Sequence, residues 1–305
     1  MKSGFVSTLI ASGFFLASAL AVRAQVNISF NYSLDTSGFF SDPGRQALLN
    51  AAASALDTRL ADTLSAISPS GPNSWTAIFN NPSTGTSQNV NNLSVAANTL
   101  VIYVGARDLG AGTLGLGGFG GFNGSGTQSW LDTISMRGQS GAPNTDFGPW
   151  GGSISFNNTA TWNFSSGLPS AGQNDFYSVA LHELGHVLGI GTATSWDNLV
   201  NGANQFTGAA SMAAFGGAVP LTSDHAHWLS GTMSTLPGTS TFQEAAMDPS
   251  LTTGTRKDFT VLDFAGLDDI GWDVTPVPEP GQLALVAGLG LLGFALFRRR
   301  VMQRG

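Results

Sequence analysis

The chain alternates between segments with strand periodicity and segments with helix periodicity. Val26–Leu34 (VNISFNYSL) alternates apolar and polar positions and is rich in strand formers, which predicts a strand. Asp42-Pro43 then reads as an N-cap followed by Pro at the first helical position. Leu48, Ala52, Ala55, Leu56, Leu60 and Leu64 recur at helical spacing, so the pattern predicts one long amphipathic helix from Gly44 to Ile67. Residues 68–92 are rich in Pro, Asn, Ser, Thr and Gly and read mostly as loop. Leu100–Val104 (LVIYV) is a short buried strand. Trp130–Met136 and Gly152–Phe156 are two further strand candidates. Asn174-Asp175 caps a helix running from Phe176 to about Leu188. Thr260–Ile270 is a short helix stopped by Gly271-Trp272. Between Gly105 and Gly126 stand ten glycines. That density excludes a helix and predicts a flexible loop with extended stretches, or a linker between domains.

The two ends depart from this pattern. Lys2 precedes a nearly continuous apolar and small-residue run, Phe5 to Ala21, and Val22-Arg23-Ala24 offers small residues for cleavage after Ala24. Residues 1–24 are therefore expected to be a signal peptide, with an uncleaved anchor as the other reading. At the far end, Pro278-Glu279-Pro280 is followed by an apolar run from Gly281 to Phe297 and then by Arg298-Arg299-Arg300. Such a run just reaches across a hydrocarbon core, and the arginines would stay on the cytoplasmic side. This order resembles the PEP-CTERM sorting tail of exopolysaccharide-producing Gram-negative bacteria. The resemblance implies a tail over residues 275–305, membrane association through residues 281–297 before processing, and an exosortase-type processing enzyme as partner. The expected location is the cell surface or extracellular matrix. Residues 25–274 remain as one body.

Composition sharpens the picture of that body. The 305 residues carry a net charge of −7, and six of the twelve Lys and Arg lie in the two end segments. The body is thus strongly acidic, which suits an exported protein and argues against nucleic acid as a partner. The chain has no Cys, so disulfides, thiol nucleophiles and Cys-ligated metals are excluded. Any metal site must use His, Asp and Glu.

The segment Ala180–Gly189 (ALHELGHVLG) supplies one. His182 and His186, four apart on a helix, project from one face and can bind one zinc ion. Glu183 stands beside the position the metal leaves open, where it can take a proton from water and pass it to a leaving amine. A catalytic zinc needs a third protein ligand. Three residues after Gly189 stands Thr192, so a short-spaced third His is absent. The remaining histidines, His225 and His227, and a nearby Asp or Glu are the candidates.

With H-E-x-x-H-x-x-G at 182–189, His227 before Trp228 and Met247 downstream, the chain resembles the metzincin zinc metalloproteases, in particular their leishmanolysin-like or matrixin-like HExxHxxG branch. The resemblance implies that His227 is the third ligand and that Met247 forms the Met-turn beneath the metal. It also implies an α+β fold: a twisted mixed sheet with long helices in an upper lobe, a small irregular lower lobe, and an active-site cleft between. An extended protein or peptide substrate would pair with a sheet edge, for which Ser153–Phe156 is the candidate. Calcium is compatible with the composition, but no motif asks for it. The expected activity is zinc-dependent peptide-bond hydrolysis. A non-catalytic surface or matrix protein keeping a zincin fold, and a zinc-dependent amidase, are the alternatives. With no Cys for a thiol switch, no sizeable inhibitory propeptide is expected.

Overall fold

A computed structural model describes residues 25–141, 145–277 and the single residue Gly293. The expected signal peptide lies outside these residues, as do the expected sorting tail beyond Val277 and its span at 281–297, Gly293 apart. No described helix is long and apolar enough to cross a membrane.

The fold is a mixed α+β arrangement built on a twisted four-stranded sheet. Strand β1 (Asn27–Asn31) opens the sheet, as its alternation predicts. Helix α1 (Pro43–Asp57) begins where Asp42 accepts the backbone N–H of Gly44. It ends ten residues before the expected Ile67. Beyond Thr58 the backbone is extended: Leu60 bridges to Val274 and Ile67 to Val95. Leu60, Leu64 and Ile67 are buried all the same, so their spacing mimics a helix without requiring one. The expected loop at 68–92 contains an antiparallel pair, β2 (Ser74–Asn80) and β3 (Ser87–Asn91). In β2 the buried residues Trp75, Ala77 and Phe79 alternate with more exposed ones.

Strand β4 (Thr99–Arg107) is the centre of the molecule. Leu100, Ile102, Val104 and Ala106 face a core shared with α1 and with the later helix Phe176–Val187. Val101 and Tyr103 face a second core with Trp75, Phe79 and Trp150. Burial on both faces explains why LVIYV reads as a continuous apolar run. Next, the glycine-rich segment forms β5 (Gly115–Phe119) and β6 (Gly121–Ser125) rather than a loop or linker. Gly120 hands the chain from one sheet to another: β5 joins the main sheet, and β6 pairs with β2. The expected strand at 130–136 is a helix, α2 (Gln128–Met136), capped by the Thr127 side chain on Trp130 N. Its buried residues, Trp130 and Ile134, lie four apart, which is helical and not strand spacing.

Strand β7 (Gly151–Asn157) completes the main sheet in the order β1-β4-β7-β5. The first three strands are parallel, and β5 runs antiparallel against β7. Ser153–Phe156 is therefore interior and buried, and the expected sheet edge belongs to β5 instead. The chain continues through α3 (Phe176–Val187), α4 (Thr194–Asp197), α5 (Ala209–Phe215) and α6 (Val261–Asp269), with short strand pairs between them. Helices α3 and α6 match their expected bounds within a residue.

Candidate metal centre

Helix α3 carries the candidate residues because of how its ends are fixed. Asp175 is its N-cap and accepts the backbone N–H and the hydroxyl of Ser178. At the other end Gly189 takes φ 105°, a conformation costly for any residue with a Cβ, and the chain turns back toward Ile190. The side chain of His186 uses that turn: its Nδ1 donates to Ile190 O at 2.9 Å. His182 Nδ1 donates to Ala246 O at 2.8 Å.

These two bonds decide the tautomer. With Nδ1–H donating to a carbonyl, Nε2 is left with a free lone pair. His186 Nε2 lies 3.1 Å from His182 Nε2 and 3.1 Å from His227 Nε2. So lone pairs face each other in the interior, an arrangement that is unfavourable unless a cation sits among them. The three ligand atoms lie within 4.8 Å of one another. Nitrogen ligands at about 2.0–2.1 Å in a tetrahedron would be about 3.3 Å apart, which the two 3.1 Å spacings at His186 approach. Burial lowers all three imidazoles: His182 falls well below its ordinary value, His186 to about 4, and His227 also falls. At neutral pH all three are uncharged, as metal ligation requires.

His225 does not join them. It is held at φ 61°, and its Nε2 meets Asn204 Oδ1 at 2.7 Å. Thr192, at the position of a short-spaced third ligand, donates its hydroxyl to His186 O instead. No Asp or Glu among the described residues completes a cluster with the pair on α3.

Glu183 is 5% exposed and sits against β5. It accepts a hydrogen bond from the Gly117 backbone, while burial pushes its carboxyl up to about 8. The close approach of strand and helix needs glycine: a Cβ at Gly115 would strike the Glu183 carboxylate, and one at Gly117 its backbone carbonyl. The alternating glycines of GLGG are the sequence signal for this contact, although by composition alone they resemble a loop.

Met247 lies under the other side of α3, where a Cβ on Gly185 would run into its sulfur. A residue outside the motif holds this region together. Asp263, fully buried in α6, accepts Ala246 N at 2.8 Å, Met247 N at 3.2 Å and Trp228 Nε1 at 2.9 Å. It also closes a capping box with Thr260. One carboxylate thus fixes the turn beneath α3 and the residue beside His227. The spacing Thr260-x-x-Asp263 announces the cap; the long-range bonds have no sequence signature.

The three imidazoles and Glu183 border a cavity of about 830 Å³, flanked by residues 110–117 on one side and 246–251 on the other.

Residues 125–209 match the matrixin family of peptidases. The matrixin match covers under a third of the chain, including His182, Glu183 and His186 but not His227. Matrixins are zinc-dependent metallopeptidases, and the match supports a metzincin-type metallopeptidase. No curated protein and no solved structure matches the chain.

Proposed function

We propose that the protein is an exported zinc metalloendopeptidase. His182, His186 and His227 hold the ion, and Glu183 is the general base. The carrying observation is the meeting of three imidazole Nε2 atoms at the foot of the cavity, two of them 3.1 Å from the third, beside a buried carboxylate.

Bound zinc supplies Lewis acidity, polarising a carbonyl oxygen and making water acidic enough to lose a proton near neutral pH. The chain's own residues do the rest. Strand β5 is the sheet edge along the cavity, and its backbone groups not engaged with β7 or Glu183 can receive an extended peptide as a further strand. Leu116, half exposed on that strand, offers apolar contact to the incoming peptide. The Glu183 carboxylate takes the proton of the attacking water and delivers it to the leaving amine. Gly117 N–H holds that carboxylate in place without satisfying it fully, so it stays basic. Glu183 would ionise more readily beside a cation held by the three imidazoles than burial alone allows. The lobes of the metzincin resemblance correspond, on this reading, to the sheet with α1 and α3 and to the segment from His227 through α6.

Export and anchoring belong to the same proposal. Residues 1–24 direct secretion, and the tail at 275–305 is retained in the membrane until an exosortase-type enzyme processes it.

Casein zymography tests the catalytic reading. Wild type should clear casein, and chelator should abolish the clearing. Glu183→Ala should fail to clear while binding zinc as wild type does. Comparable clearing by Glu183→Ala would refute the assignment of the base.

A further inference from the structure

Lys257 is 6% exposed, borders the cavity, and has no part in the chemistry above. It is fixed at both ends. Its backbone N–H donates to Ser178 Oγ at 2.7 Å, on the first turn of α3 and one turn before His182. Its ammonium reaches across to the opposite wall, donating to Ser250 O at 2.7 Å. There it also pairs with Asp248 at 3.4 Å and with Glu244 at 3.0 Å. The preceding residue reinforces the near end. Arg256 forms a two-pronged pair with Asp175, the α3 cap, at 2.7 and 2.8 Å. Ser178, Asp248, Ser250 and Lys257 all line the cavity.

We propose that Lys257 is a specificity-determining strut. It sets the distance between the first turn of α3 and the wall that follows Met247. With Asp248 and Glu244 it also sets the charge felt by the substrate side chain lodged between them. This rests on the peptidase reading. One ammonium faces two carboxylates, Asp248 on the cavity lining and Glu244 outside it, so the group carries a formal excess of one negative charge. It should disfavour acidic side chains. Removing the ammonium deepens that preference, and removing a carboxylate relieves it. Because Lys257 acts through wall and charge and not on the scissile bond, it is a positioning residue.

The test compares zinc-loaded full-length wild type, Lys257→Met and Glu244→Gln on a peptide library varied on both sides of the scissile bond. Zinc content and hydrogen exchange of residues 246–251 are followed in parallel. Glu244→Gln is included because its partly exposed side chain can be neutralised without burying a new charge. In Lys257→Met, zinc content should hold and exchange of the 246–251 segment should quicken. The ratio of basic to acidic peptides cleaved should rise severalfold at one position. In Glu244→Gln that ratio should fall at the same position. A general structural role would slow all peptides alike and leave their ranking intact. Unshifted rankings in both variants overturn the proposal while wild type still cleaves. A zinc-loaded wild type that cleaves no peptide overturns the peptidase reading and this role with it.

Discussion

Asp175 and Glu183 are both buried carboxylates carried by α3, about two turns apart, and they are treated in opposite ways. Asp175 is surrounded by donors: the N–H and hydroxyl of Ser178, the amide of Asn163 and two arms of the Arg256 guanidinium. Glu183 has the Gly117 backbone N–H, and burial raises its carboxyl to about 8. A buried acid whose lone pairs are filled and whose charge is paired holds structure. One left short of donors beside a set of neutral imidazoles is poised to exchange a proton. The same helix anchors itself with the first and exposes its chemistry with the second.

The contrast is sharpest if the two residues fail in different assays. Glu183→Gln should lower kcat/KM on a peptide substrate by about 10³–10⁴-fold, with zinc content and denaturant midpoint kept. Loss of zinc or fold in step with activity would move Glu183 to the structural side. Asp175→Ala should behave inversely. It removes the α3 cap and the carboxylate partner of Arg256, whose guanidinium keeps the Ser165 and Ser166 carbonyls, and the cost should be about 2–4 kcal/mol in urea unfolding. A change under about 1 kcal/mol would show that the ion pair does not hold the helix.

Gly117→Ala probes how closely β5 must lie on Glu183. The added methyl meets the helix backbone, which cannot swing aside, so strand or helix must shift. A destabilisation of about 1–3 kcal/mol is expected, together with a drop in kcat. A variant with unchanged kcat would mean that the strand does not position the base.

The smallest effect is electrostatic and is read in metal-free protein. Glu183 has its carboxyl raised from 4.5 to about 8, so the folded state binds the proton more tightly than the unfolded chain. Its contribution is fully present at low pH and is lost as pH rises through about 8. The lowered histidines act in the other direction: around 6.5 the unfolded chain gives up imidazole protons that the folded state does not hold, and this opposing trend is spent by about pH 7.5. Between about pH 7.5 and 9, therefore, Glu183 dominates, and stability should fall by about 1 kcal/mol. Chemical denaturation at the two pH values measures it. Glu183→Gln should be flat across that window, and an equal slope in the variant would assign the effect elsewhere.

What could be read in the sequence follows the same physics. Helix α3 was legible because its cap, its apolar face and its His spacing are local. So were β4 and α6, for burial on both faces and for the T-x-x-D cap. The bringing of His227 to the pair on α3 was reached through a family resemblance and not through spacing, since the intervening chain has no period. The errors have one source. In β5 the glycines serve contact with another element, and composition alone reports them as loop. In the segment after Thr58, burial by distant partners imitated helical periodicity. Trp130 and Ile134 were misread as strand because bulky apolar residues favour both states.

The carboxylate of Asp263 has a consequence in time. It lies far along the chain from α3, yet it frames both the Met247 turn and the neighbour of His227. As the chain is made from its N-terminus, the first two histidines emerge without that frame. Competence to hold an ion should arrive only once α6 has docked. A version ending at Phe259 is expected to retain zinc far more weakly than the complete body, as metal titration would reveal.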